Sequence, residues 1–529
     1  MDAAGDRARP PVTASGPSRL AIAGAAVVIV IGLVLRFWTR SHLWLDEALT
    51  VNIARLPLRD IPAALRRDGA PPLYYFLLHG WMRVFGASDI AVRALSGVFA
   101  VATLPLMWIA GRRLVPAAQG SDANVTGLVA VLLLASSPFA VRYATETRMY
   151  SLVVFLTLLG FLALTSALAS VRPGWRQLLP LTVLSGLLLL SHYWSLYLLA
   201  AVGVVLAAKV IWGRAEERTA CVRALLAIAA GFAFLLPWLP SLLFQLRHTG
   251  TPWAVPASFS AMVNAIGEFA GGRSSSGRAL ALTFFALAGF GLFGAALDRR
   301  RVEIDLRTRP GGRGLALTVA GTLAIAITIG LTTNAAFAAR YAAVVFPLFL
   351  LLVTLGTTVL VDRKLLAGVV AAAVVFGLGT STGNVNTDRT QAAQLAATIR
   401  TQLKPGDVIG YCPDQLGPAM TRVLPSSALG GVEQITFPRR TGPAFVNWVD
   451  YGKSNAAADP VAYAEFLDHA AGPSHTVWMV WDGGYRTLDN TCEQINARLT
   501  ELRPNANQLR EADTQHFFEH ANLTRYLPS

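Results

Sequence analysis

The chain has 529 residues, of which 54% are hydrophobic and 14% charged, and a net charge of +14. Ordinary soluble domains carry roughly 25% charged residues, so this balance excludes a soluble globular protein and indicates a polytopic membrane protein. The basic residues lie in short clusters between apolar runs rather than on one face or tail, which argues against a nucleic-acid partner and reads as a topology signal.

Residues 1–18, rich in Ala, Pro, Gly and Ser, read as a disordered cytoplasmic tail. The apolar run from Leu20 to Trp38 is longer than a signal-peptide core and runs into Arg36-Phe37-Trp38 without a small-residue cleavage site, so it is expected to stay as a membrane anchor. Just beyond it stand the adjacent carboxylates Asp46 and Glu47, where the chain first meets the far-side water. Read alone, they fit either an acid pair with chemistry to do or the solvated start of a helix.

The outer loop spans about 39–88. Within it, residues 51–86 hold Pro57, Pro62, Pro71 and Pro72 with recurring charges, the pattern of amphipathic helices along the interface; a short span at Leu73 to Phe85 is the competing reading. Further apolar runs lie at 89–111, 124–141, 150–168, 178–191, 194–212, 223–243, 279–297, 314–332, 341–360 and 365–382. Together with the first run they predict about 11 transmembrane helices across residues 19–382. The division at His192 is the least marked. Basic clusters fall in alternate loops, at Arg112–Arg113, Arg172–Arg176, Lys209–Arg223, Arg299–Arg313 and Arg363–Lys364. By the positive-inside rule these loops and the N-terminus are cytoplasmic and the C-terminal part is extracytoplasmic.

This topology sends Asp46, Glu47, Glu146, Arg148, Tyr150, His192, the loop from Gln245 to Gly277, and Asn334 to Tyr341 to one outer side, where they outline a cavity at the membrane surface. The Ala-, Gly- and Arg-rich usage is that of a GC-rich bacterial genome, so the expected location is a bacterial plasma membrane.

Residues 383–529 change character, with strand-like segments at Asp407–Cys412, Gln434–Pro438 and His475–Trp481 and helical ones at 389–403, 459–470 and 491–502. They predict a small external α/β domain. Cys412 and Cys492 both fall in it, in a compartment that permits a disulfide; two independent buried thiols are the other reading. Its tryptophans Trp448, Trp478 and Trp481 suit either a core or a glycan-holding face. Acceptor binding or a lid over the cavity is the expected role.

The acidic pair after the first span, the stretch Asp68-Gly69-Ala70-Pro71-Pro72-Leu73-Tyr74-Tyr75-Phe76-Leu77-Leu78-His79, Glu146-Thr147-Arg148-Met149-Tyr150 before a later span, and Arg340-Tyr341 heading another together resemble the GT-C class of membrane glycosyltransferases. More narrowly, the chain is similar to bacterial relatives of the protein O-mannosyltransferases and of the lipid A aminoarabinose transferase, a glycosyltransferase family 39-like group. The resemblance spans roughly residues 20–360. It implies inverting transfer of mannose or a related sugar from a polyprenyl-phosphate carrier to a glycan, lipid or protein acceptor at the outer membrane face.

Under that resemblance Asp46 is the base, and Glu47 orients it, holds a divalent ion or helps bind the acceptor. Adjacent carboxylates point in different directions, so both are not expected to share one task. Arg148 and Arg340 are the candidates for the lipid phosphate, because guanidinium grips phosphate with two prongs. Competing roles are a salt bridge from Arg148 to Glu146 or Glu47, and a snorkelling span-end anchor for Arg340. Tyr74, Glu146, Tyr150, His192 and Tyr341 are the candidate substrate contacts, against the ordinary role of interfacial aromatics as belt anchors. Many relatives place His or Asn before the Pro-Pro, where this chain has Ala70. No cofactor is required by the sequence, and a divalent ion is left open. The rival readings are a transporter or flippase for a lipid-linked substrate, for which no internal repeat is visible, and a non-catalytic scaffold using the same fold.

Overall fold

The computed structural model describes residues 19–115, 122–250, 258–272, 274–299, 301–333 and 337–528. The expected tail at 1–18 and Asn334 therefore lie outside the described residues. The chain opens with helix α1 (Arg19–Leu35), and the outer loop forms α2 (Leu45–Ala54), α3 (Ile61–Asp68) and α4 (Leu73–Phe85). With 13 residues, α4 extends about 20 Å, short of the roughly 30 Å of a hydrocarbon core. It buries Tyr74, Tyr75 and Leu78 and leaves Phe76, Leu77, Val84 and Phe85 exposed, a helix with one face on the protein. By contrast α2 is buried over almost its whole length rather than along one stripe, so the outer loop is partly interior.

Among the described residues seven helices are long and apolar enough to cross a membrane, or eight if one bent pair counts as a single span. Three shorter apolar helices, Arg19–Leu35, Trp175–Ser191 and Phe346–Thr357, occupy further expected positions. The first long span is α5 (Asp89–Arg113), capped by Ser88, whose hydroxyl accepts from the Ala91 N–H. The bent pair is α6 (Ala123–Ser136) and α7 (Pro138–Ala144), meeting at 57°. Pro138 cannot continue the hydrogen-bond ladder, and Ser137 caps the new helix. The carbonyls left over at the break are taken by buried Arg36, which donates to Leu134 O at 2.7 Å and Ala135 O at 3.0 Å. A cation at a helix C-terminus also suits the helix dipole. After α8 (Tyr150–Leu168) the chain does divide at His192, between helices Trp175–Ser191 and Trp194–Trp212.

Beyond a small hairpin of β1 (Gly294–Ala296) and β2 (Val302–Ile304) and the last long helix, Arg363–Asn386, the C-terminal part is an α/β unit. Its strands are β3 (Val408–Cys412), β4 (Glu433–Thr436), β5 (Val477–Trp481), β6 (Ala506–Arg510) and β7 (Asn522–Tyr526), in the order β4-β3-β5-β7-β6. Both neighbours of β3 run parallel to it, and β7 is antiparallel to β5 and β6. Every residue of β3 is buried, as expected for a parallel strand covered on both faces. Helices Ala392–Arg400 and Leu416–Val423 pack on one face, and Pro460–Ala471 and Thr491–Leu502 on the other. Cys412, at the end of β3, is bonded to Cys492. Trp478 is a core residue of this unit rather than a glycan platform.

The unit docks on the outer loop. Asn52 donates to Ala444 O at 2.8 Å, Arg422 pairs with Asp89 at 2.9 Å, and the Trp448 N–H reaches Arg67 O at 3.1 Å.

Candidate active site

The sequence places Asp46 and Glu47 side by side in the first turn of α2, and a helical step of about 100° per residue sends their side chains apart. Their surroundings differ accordingly. Glu47 is fully buried, and Arg93 grips it with two prongs, Nε to Oε1 at 2.7 Å and Nη2 to Oε2 at 2.6 Å. The Thr147 N–H donates to Oε1 at 2.9 Å, and Arg389 Nη1 lies 3.5 Å from Oε2. Arg389 also donates to Thr145 O at 2.8 Å and Thr145 Oγ1 at 2.7 Å. The expectation that Glu47 holds an ion or an acceptor is therefore corrected: its oxygens are engaged by arginines and an amide, and it ties α2, α5, the 145–147 turn and the segment after the last long helix into one ion cluster.

Asp46 faces the other way. Its side chain keeps 18% exposure, and Oδ2 lies 3.7 Å from Arg340 Nη1, longer than the 2.7–2.9 Å typical of a charge-assisted hydrogen bond. Arg340 stands in the short turn Ala339–Val344 and lies over the rings of Trp44, at 6.0 Å, and Tyr341, at 5.6 Å. Arg148 comes from the turn before α8 and donates from Nη1 to Thr50 Oγ1 at 2.9 Å and Tyr75 Oη at 3.3 Å. Neither expected salt bridge of Arg148 forms, since Glu146 pairs with Arg142 at 3.2 Å and Glu47 with Arg93. Arg148 Nε is buried with no hydrogen-bond partner, as are Asp46 Oδ2 and the Tyr150 hydroxyl. Buried polar atoms are nearly always partnered in folded proteins; these three lie around the partly exposed Asp46, while Glu146, Arg142 and Arg389 of the neighbouring cluster also have unpartnered atoms.

Around this centre the candidates separate. His192 lies 5.9 Å from Tyr150 and 5.5 Å from Tyr341 between ring centroids, so these three line the aromatic side of the site. His192 Nδ1 accepts from the Trp194 N–H at 3.1 Å, which places the proton of a neutral ring on Nε2. Tyr74 is corrected from substrate contact to support: it is buried and shares a 2.8 Å hydrogen bond with Ser96, whose hydroxyl donates to Arg148 O at 3.1 Å. Glu146 is likewise buried, with its Oε2 3.2 Å from Arg142 and 3.9 Å from Arg389, and belongs to the Glu47 cluster rather than to a substrate. Tyr193 is structural, donating to Gln245 and accepting from Trp238 Nε1 at 2.9 Å.

Arg93, Arg389, Thr50 and Asp68 were missed as working residues. A single arginine four residues into an apolar run reads as an interfacial anchor, and Arg389 reads as the start of a surface helix; that helix begins only at Ala392. Asp68 accepts from Tyr75 Oη at 3.0 Å, and burial pushes its carboxyl up against the pull of Arg148. Its position beside Gly69, whose φ of +90 ends α3 in the left-handed region, carried the signal. Among the described residues no three His, Cys, Asp or Glu side chains gather as a metal set. With Glu47 engaged, an ion at the acidic pair would have Asp46 alone to hold it.

The family described as dolichyl-phosphate-mannose-protein mannosyltransferase matches residues 69–256. A search among curated proteins gave no sequence match. In structure the chain is similar to ArnT from Cupriavidus metallidurans in the apo state, with 12% identity, a TM-score of 0.59, and coverage of 96% of this chain and 98% of that one. ArnT bound to undecaprenyl phosphate matches with 13% identity and a TM-score of 0.54 over the same shares. The apo oligosaccharyltransferase of Archaeoglobus fulgidus matches at 11% identity and a TM-score of 0.50, over 88% of this chain and 70% of that chain. The fold is thus that of the GT-C class. The family match covers about a third of the chain, within a multi-pass helical fold similar to that of ArnT.

Proposed function

We propose that the protein transfers a sugar, mannose or a close relative, from a polyprenyl-phosphate carrier to a hydroxyl of a cell-envelope acceptor, with inversion at the anomeric carbon. The observation that carries the reading is Asp46 held loosely against Arg340, beside Arg148, with polar atoms of Asp46, Arg148 and Tyr150 left unpartnered. The neighbour solved with undecaprenyl phosphate supports a lipid-phosphate donor.

The electrostatics fit such a displacement. In the structure Arg340 stands 3.7 Å from Asp46 as its countercharge. An incoming phosphate competes for the guanidinium in bidentate geometry and releases Asp46 to take a proton. The acceptor hydroxyl then gives its proton to Asp46 while its oxygen forms a bond to the anomeric carbon. The bond from that carbon to the phosphate oxygen breaks, its electron pair stays on the phosphate, and Arg148 and Arg340 stabilise the charge that grows there. Glu47, locked by Arg93, keeps the first turn of α2 in place during this step.

The charge distribution supports a site on the outer side of the membrane. Arg93, near the start of α5, touches the Glu47 cluster, while Arg112 and Arg113 end the same helix about 30 Å away, on the side that the positive-inside rule reads as cytoplasmic. About 11 spans and an extracytoplasmic α/β unit follow from the same reading.

The test supplies purified protein in nanodiscs with radiolabelled polyprenyl-phosphate mannose and a crude envelope fraction. Labelled product with inverted anomeric configuration is expected. If neither the mannose nor an arabinose donor gives labelled product, while the donor is instead moved intact across the bilayer, the flippase reading replaces this one.

A further inference from the structure

The helix that carries Asp46 begins without a cap of its own. Trp44 stands at its N-cap position and its side chain accepts no hydrogen bond from the first turn. Amides in that turn have no partners within a helix and need an acceptor from elsewhere. The Leu45 N–H, one residue before Asp46, donates to Glu519 Oε2 at 2.6 Å, from the other end of the chain. The second carboxylate oxygen accepts from Thr390 Oγ1 at 2.8 Å.

Glu519 is itself held in place. Its N–H donates to Arg389 O at 2.8 Å, and its carbonyl accepts from the Gln391 N–H at 2.9 Å. Gln391 Oε1 accepts from the Asp513 and Ala521 amides at 3.2 and 3.1 Å, pinning the loop that presents Glu519. On this strap the Arg389 side chain reaches Glu47, and next to Glu519 the ring of Phe518 meets Trp44 edge-on at 5.2 Å. The residues flanking Asp46 are thus held from the C-terminal unit at Trp44, Leu45 and Glu47.

We propose that Glu519 is a positioning residue for the transfer reaction: the C-terminal unit supplies the N-cap of the helix whose first turn holds Asp46, and so fixes where that carboxylate points. This rests on the reading of Asp46 as base. A carboxyl oxygen at a helix N-terminus satisfies an orphan amide. Small displacements of a reacting group cost rate steeply, so the cap acts through geometry rather than through contact with the sugar. The C-terminal unit is then part of the catalytic apparatus.

Hydrogen exchange on the full chain in nanodiscs tests it, comparing wild type, Glu519→Ala and Glu519→Gln. Glutamine keeps a carbonyl acceptor for the Leu45 N–H; alanine keeps none. Exchange in peptides covering the first turn of α2 is expected to quicken several-fold in Glu519→Ala, with distant spans unchanged and Glu519→Gln restored toward wild type. In the transfer assay with polyprenyl-phosphate mannose, Glu519→Ala is expected to lower kcat about tenfold or more, with the donor KM within about twofold. Unchanged exchange at α2 in Glu519→Ala overturns the proposal, and so does uniform loss of protection in both variants. Full transfer by Asp46→Asn would instead remove the base reading, and the exchange result would still decide the cap.

Discussion

Asp46 and Glu47 are neighbours in sequence, yet the regions they face differ in how completely they engage the two carboxylates. On the Glu47 side, Arg93, Arg389 and the Thr147 amide close a buried cluster around the carboxylate. On the Asp46 side, one guanidinium stands at 3.7 Å and the carboxylate's Oδ2 has no hydrogen-bond partner. A buried carboxylate with both oxygens engaged is architecture; a neighbouring one held by a single long contact is where a charged substrate completes the set. The comparison teaches that the acidic pair divides its work, one carboxylate for chemistry and one for holding the helix that presents it.

The largest break in this comparison is expected on the Glu47 side. Arg93→Ala leaves Glu47 buried without its bidentate partner, and such losses cost about 3–5 kcal/mol, a large share of a typical domain's stability. Yield and melting midpoint in detergent check this, and Arg93→Ala folded and stable as wild type contradicts the assignment. On the open side, Arg340→Lys keeps a positive charge but loses the fork, so a fall in kcat/KM of about ten- to a hundredfold with an unchanged melting midpoint is expected. A lysine variant with wild-type kinetics would take Arg340 out of phosphate binding.

A smaller effect follows from pH. Burial, with the charges of Asp46 and Glu47 adding to it, pushes Glu519 up to about 8, and burial pushes Asp414 up to about 7. Both groups bind a proton more tightly folded than unfolded, so their contribution is complete below the ordinary carboxylate range, near pH 4, and is lost as pH rises through about 7 to 8. The melting midpoint of the full chain is expected to drift down across that window, and Glu519→Gln to flatten the upper part. A midpoint that climbs from pH 5 to 8 would contradict the sign.

Much of the fold was legible because bilayer and strand physics write strong patterns. The break at His192, the buried run Val408–Cys412 and the helix at 491–502 all follow from apolar length or spacing. Strands β6 and β7 were not legible: Ala506–Arg510 is a largely exposed polar edge with no apolar alternation to read. In the site, Asp46, Arg148 and Arg340 stood out because charges at span ends are few. Tyr74 looked the same as Tyr75 in sequence, and their different roles depend on which faces Ser96 and which faces Asp68. Glu519 could not be read at all, since its partner is the amide of Leu45 and a backbone group leaves no mark in the side-chain pattern.

The most direct test of the central claim is sugar transfer from radiolabelled polyprenyl-phosphate mannose by wild type and Asp46→Asn, with melting midpoint and undecaprenyl phosphate binding measured on the same samples. Loss of a general base lowers rates by about 10²–10⁴-fold, so Asp46→Asn is expected to fold and bind the phosphate lipid while transferring at that fraction of the wild-type rate. Transfer by Asp46→Asn at the wild-type rate would contradict the account.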